Sequence, residues 1–216
     1  MSRAPAGSSA RRAPRRAYDS PLRARRAGET KASLIDTATA LFTAKGWAAT
    51  GMREVAREAG VAVETLYSHF PSKRALLDAV IDQVVAGDDE PIPVAERPGF
   101  LALGHGSRPD RITAAASLLT EIHARTAVFA RLVREAAASD EEIADVLRLT
   151  RDRQRTDVAA GLALILGRSA TDLERDGVWA IASPETFLLL SDGADWPPER
   201  YRRWLADTLD RLLADH

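Results

Sequence analysis

Apolar residues recur along this chain at spacings of three, four and seven and nowhere alternate with polar ones over a strand's length, a pattern that only helices can bury. Leu34, Ile35, Ala38, Leu41 and Phe42 form one such face in a first helix running from Lys31 to Gly46. Thr50 is a good N-cap for a short second helix carrying Met52, Val55, Ala56 and Ala59, and Gly60 supplies the turn that ends it. Residues 61–69 hold about two helical turns before Pro71 forces Phe70 out of helical geometry. Ser72 can cap a fourth helix whose stripe of Leu76, Leu77, Val80, Ile81, Val84 and Val85 runs out at Gly87.

Prolines and glycines between Gly87 and Arg108 break any long period, leaving an irregular connector with one short turn at Phe100, Leu101 and Leu103. Beyond it the pattern predicts helices at 109–124, 126–138, 140–166, 172–191 and 197–214, with Pro184 kinking or restarting the fourth of these. The expected fold class is therefore all-α. Its expected parts are a basic arm at 1–27, a helical N-terminal domain at 28–87 and a larger helical domain at 88–216.

The chain has no cysteine, which excludes disulfides, thiolate catalysis and zinc sites built on sulfur, and fits a reducing cytoplasm. No apolar run is long enough for a membrane span or for a secretory signal. The net charge of −1 hides a division. Residues 1–31 carry nine Lys or Arg against two acids, residues 32–86 five against six, and residues 87–216 sixteen against 23. Acidic residues 87–216 make a poor partner for a polyanion. The Arg, Ala, Pro and Ser of residues 1–27, with only Tyr18 and Leu22 as sizeable apolar groups, predict a disordered arm. It either tracks phosphates or a minor groove, or is a solvated tail.

A helix, a glycine turn and a second short helix, at about residues 51–70 and backed by a preceding helix, make a helix-turn-helix that presents one helix end to a DNA major groove. In the second of these helices Val61, Leu66 and Phe70 are expected to face inward. Ala62, Val63, Glu64, Thr65, Tyr67, Ser68 and His69 then point outward or sideways. Ala62 and Val63 suit a thymine methyl, Thr65 and Ser68 suit bases or phosphates, and Tyr67 and His69 suit backbone oxygens. Glu64 either accepts from a cytosine amino group or is solvated. Arg53 is a further candidate for binding DNA, and Thr50 and Lys73 sit at expected helix N-termini, where an anion is favoured.

Residues 51–77, GMREVAREAGVAVETLYSHFPSKRALL, resemble the DNA-binding signature of the TetR family of bacterial regulators. The turn Ala59, Gly60 and Val61, then Thr65, Leu66 and Tyr67, then His69, Phe70 and Lys73 occupy the family's positions, and the resemblance covers about residues 29–86. Ala62 stands where a serine is usual and Gly51 where a side chain is commoner. The resemblance implies a sequence-specific regulator, by family default a repressor, with a homodimer interface and an effector pocket in the C-terminal domain. A dimer would read half-sites about 34–36 Å apart, hence a palindromic operator on double-stranded DNA.

Candidate pocket residues are His123, Phe129, Gln154, Trp179 and Phe187, in helices whose composition suits a small apolar effector or, equally, a filled core. Candidate interface residues are Trp204, Leu205, Leu209 and Leu212, on one stripe of the last helix. No metal ligands or cofactor motif are evident, and the expected location is the cytoplasm, at the nucleoid when bound to DNA. Two rival readings are a DNA-binding protein without an effector and a helical enzyme. Against the enzyme, His123 and Glu121 lie two apart and cannot share a helix face, and no catalytic motif occurs.

Overall fold

A computed structural model describes residues 20–87 and 92–214, and among them it has ten α-helices, two 3-10 turns and no strand. The helices are α1 (Ser20–Ala49), α2 (Met52–Glu58), α3 (Val63–His69), α4 (Lys73–Ala86), α5 (Pro98–Leu101), α6 (Arg108–Ala137), α7 (Glu141–Leu166), α8 (Asp172–Ile181), α9 (Pro184–Ser191) and α10 (Pro198–Leu212). None of these helices is long and apolar enough to cross a membrane. No cluster of three His, Asp or Glu among the described residues could hold a metal ion.

The first helix begins at Ser20, about three turns before the expected start at Lys31, which overturns the disordered arm for residues 20–27. Residues 1–19 lie outside the described part. A helix that is already nucleated extends at little cost, and Arg25 and Glu29 support this end of it across one turn at 2.8 Å. At the other end Gly46, at φ 78°, breaks the helix where glycine was expected to stop it. Thr50 is not the cap of α2: Gly51 holds that position, and the buried Thr50 donates to the carbonyl oxygens of Gly46 and Leu41.

Leu34, Ala38 and Phe42 of α1 meet Val55 and Ala56 of α2, Leu66 of α3 and Leu76 and Leu77 of α4 in one core. That core continues into Phe129, Leu132 and Val133 of α6 and Ile143 and Val146 of α7, so the N-terminal helices rest on the larger domain through apolar packing. A second core joins the other half of α6, through Ile112, Ala115 and Ala116, to α7, α8, α9 and α10. Helix α6, about 45 Å long at 1.5 Å per residue, is thus the common spine. It replaces the two helices expected at 109–124 and 126–138. No glycine or proline separates them, and the Thr126 hydroxyl bonds to the Ile122 carbonyl inside the helix.

The segment 172–191 is two helices, as Pro184 foretold, with Ser183 capping α9 through Thr186 N–H at 3.1 Å. Three aromatic groups lock α6, α9 and α10 together in the second core. Phe187 and Tyr201 meet edge to face at 4.9 Å between centroids, and His123 Nδ1 lies 3.2 Å from the Tyr201 hydroxyl. Burial depresses the His123 pKa to about 4, against a weaker opposing pull from the Glu185 carboxylate.

Between pH 6.5 and 4 the unfolded chain therefore takes up a proton that the folded one refuses, so this contribution to stability is complete above 6.5 and is lost as pH falls. Denaturant titrations at pH 7 and pH 5 should show the wild type losing about 2 kcal/mol more than a His123→Gln variant. Equal losses would mean that His123 ionises freely in the fold.

Candidate nucleic-acid interface and internal cavity

Gly60, at φ 69°, makes the left-handed turn that a residue with a Cβ adopts only under strain, and Val61 N–H closes it on the Ala56 carbonyl at 3.0 Å. Leu66 and Phe70 anchor α3 from below at 0% and 3% exposure. Helix α3 begins at Val63, two residues later than expected, with Ala62 as a cap that has no side-chain bond to offer. Of the residues expected to meet DNA, Arg53, Ala62, Glu64, Tyr67 and Ser68 are exposed, while Val63, Thr65 and His69 are half-buried. Ser68 Oγ donates to the Thr65 carbonyl at 2.7 Å, a bond it can exchange for one to a ligand. Tyr67, 47% exposed, is the largest side chain on this face.

Two residues expected to bind phosphate are turned inward instead. Thr50 is buried in the bonds already described. The Lys73 ammonium donates to the Trp47 carbonyl and lies 4.1 Å from the centroid of the Trp47 ring. Burial lowers the pKa of Lys73, and the nearby Asp140 opposes that shift.

Trp47 in turn donates its indole N–H to Asp140 Oδ2 at 2.8 Å, and Asp140 caps α7 by accepting from Ile143 N–H. The Trp47 bond is the first cause holding the Asp140 carboxyl below the usual aspartate range. This junction ties the end of α1 and the start of α4 to the α6–α7 turn. Sequence reasoning missed it, because its partners are 93 residues apart and belong to no local pattern.

Inside the larger domain is a cavity of about 170 Å³. Water needs roughly 10–15 Å³ on such a measure, so the space suits a molecule on the order of ten heavy atoms. Most of the wall is aliphatic or aromatic. Three of the five candidate pocket residues, His123, Phe129 and Gln154, line it. Phe187 lies behind His123, its ring centroid 5.9 Å from the imidazole. Trp179 belongs to a separate surface groove beside Arg155.

Ile81, Val84 and Val85 of α4 form part of the cavity wall, so the helix whose first residue touches Trp47 also borders this space. Arg125 of α6 holds the far end of α4, donating to the Val84 and Val85 carbonyls at 3.4 and 3.2 Å, and Arg153 of α7 pairs with Asp82 at 3.2 Å.

The dimer candidates divide. Leu205 and Leu209 are 0% and 1% exposed within the single chain, which removes them from any surface. Trp204 is half-buried against Trp196 and Tyr201, and the side chain of Leu212 lies over Gly177 of α8. Leu173 of α8 and Leu189 of α9 are instead 80% and 70% exposed.

Residues 34–80 match the family described as bacterial regulatory proteins, tetR family. Over 49 residues the chain is 47% identical to a helix-turn-helix-type transcriptional regulator, YerO, of Bacillus subtilis, a match covering 23% of this chain and 17% of that one. Over 51 residues it is 37% identical to the helix-turn-helix-type transcriptional repressor KstR2 of Rhodococcus jostii, covering 24% of this chain and 25% of that one. The matched segments thus span a quarter or less of these curated relatives. A solved TetR-family regulator structure from Rhodococcus sp. superposes with a TM-score of 0.65 at 19% identity, over 86% of this chain and 99% of that one. The glycine turn that sets an open-faced α3 on a buried Leu66 lies within residues 34–80, the stretch that matches the tetR family, and the helical body around it has the fold of the TetR-family structure that superposes on it.

Proposed function

We propose that this protein is a transcriptional repressor that binds a palindromic operator as a homodimer through α3 and leaves it when a small apolar molecule enters the cavity. The observation that carries the first half is the state of α3. Its inner side is fixed by Leu66 and Phe70, while Ala62, Glu64, Tyr67 and Ser68 are exposed. The repressor named above, similar over the same domain, supports the sign of regulation.

Release follows from α4. A ligand that touches Ile81, Val84 and Val85 acts on a helix about 21 Å long, at 1.5 Å per residue, that starts beside the reading head. Linkage requires only that the ligand favour the α4 position that suits DNA less well. For the dimer, Leu173 and Leu189 are the apolar groups that a second copy would cover, in place of Leu205 and Leu209.

Footprinting on DNA flanking the protein's own gene tests the central claim: a protected palindrome supports it, and no sequence preference on any genomic fragment would sink it. Removing residues 1–19, which contain five arginines, should flatten the plot of log affinity against log salt by about 0.9 for each phosphate that the segment neutralises. An unchanged slope would make that segment a bystander. Tyr67→Ala should weaken operator binding about five- to tenfold, the worth of one hydrogen bond, with little change in thermal midpoint because the ring is half exposed. Leu189→Glu should shift the protein toward monomer in sedimentation velocity. A variant that remains as dimeric as the wild type would place the interface elsewhere.

A further inference from the structure

The cavity wall contains one buried polar group whose ligand-facing chemistry is fixed by its neighbours. His123 is 4% exposed, and its Nδ1 lies 3.2 Å from the Tyr201 hydroxyl. Burial pushes the Tyr201 phenol well above its ordinary pKa, so it keeps its proton. Tyr201 is itself 1% exposed, and among the described residues its hydroxyl has no other hydrogen-bond partner than His123. A phenol donates far better than it accepts, so the proton on Tyr201 points at Nδ1 and the single imidazole proton sits on Nε2. No residue among those described accepts from Nε2, and His123 lines the cavity. The imidazole therefore offers the cavity a neutral N–H donor.

The rest of that wall, among the described residues, supplies no unpaired cation. Arg151, its one arginine, is paired with Glu185 at 2.9 Å, and Gln154 and Thr150 on the same face of α7 are uncharged. An anionic ligand would meet Glu185 with its partner already engaged. Asp157, farther along α7, forms no hydrogen bond or ion pair among the described residues, and its near cation Arg153 is bound to Asp82. A cationic ligand would need Asp157, which is partly exposed to solvent and has no neighbour fixing its geometry as Tyr201 fixes that of His123.

Resting on the reading of this cavity as the effector site, we infer that the effector is an uncharged, largely apolar molecule with a carbonyl-type hydrogen-bond acceptor, seated on His123 Nε2. Tyr201 is a positioning residue that sets the tautomer, and Glu185 keeps anionic acceptors away.

Three probes with one carbon skeleton separate the possibilities: propiophenone, propylbenzene and 1-phenylpropylamine, titrated calorimetrically into the full-length protein. The ketone is expected to bind about five- to tenfold more tightly than the hydrocarbon and more tightly than the amine. That preference should vanish in His123→Leu and survive in His123→Gln, whose amide restores a donor. Tyr201→Phe, which leaves Nδ1 free to hold the proton, should reduce the preference while leaving hydrocarbon affinity unchanged. Equal binding of ketone and hydrocarbon by the wild type would overturn the inference and leave the cavity as an effector site. Tightest binding of the amine would overturn it in favour of Asp157. Failure of all three to bind at their solubility limits would overturn the effector reading itself, and this inference with it.

Discussion

One helix belongs to two interiors, and the rest of the molecule is arranged around that fact. The N-terminal half of α4, through Leu76, Leu77 and Val80, completes the core that holds α3 in place, and its C-terminal half borders the cavity. A close-packed interior does not deform smoothly, so a side chain displaced by a guest in the cavity must find a new seat or move the helix that bears it. In α4 the second response reaches the base of α3 without any further relay.

The polar ties around α4 set where it can go more than how firmly it is held. Asp36 with Gln83 fastens it to α1, Asp82 with Arg153 to α7, and Arg125 closes over its last carbonyls. These groups are largely exposed, and surface pairs of this kind contribute between nothing and about 1 kcal/mol each. Burial supplies the cohesion, while the pairs add directional contacts at fixed points along the helix.

Much of this was legible in the sequence wherever burial leaves a local period. The faces Leu34 to Phe42 and Leu76 to Val85, the turn at Gly60 and the break before Pro184 each follow from neighbours in the chain. What was not legible needs information that period does not carry. At the start of α1, Arg23, Arg25, Arg26 and Ala27 are exposed, so this stretch of helix has no buried apolar face to read. A period on α10 says that Leu205 and Leu209 are covered, yet it cannot say by which copy, and here the same chain covers them. Thr50 has the chemistry of a cap, but the φ and ψ of Gly51 gave that role to its neighbour. Of the pocket candidates that composition offered, His123, Phe129 and Gln154 line the cavity and Trp179 does not, because a helix face does not reveal which of its neighbours stands back.

The indole of Trp47 and the carboxylate of Asp140 have a bearing on how a protein of this fold can be rebuilt. The acid that starts α7 is also the acceptor for a side chain of the N-terminal head, and Lys73 lies against the same tryptophan. The head is therefore not a freely exchangeable module. Grafted onto another helical body, it would present a tryptophan N–H and a half-buried ammonium to whatever turn replaced residues 138–141. Exchange of heads between bodies of this fold is then constrained at this turn as well as at the apolar contact with α6 and α7, and a body that lacks an acid there leaves the indole N–H without its acceptor.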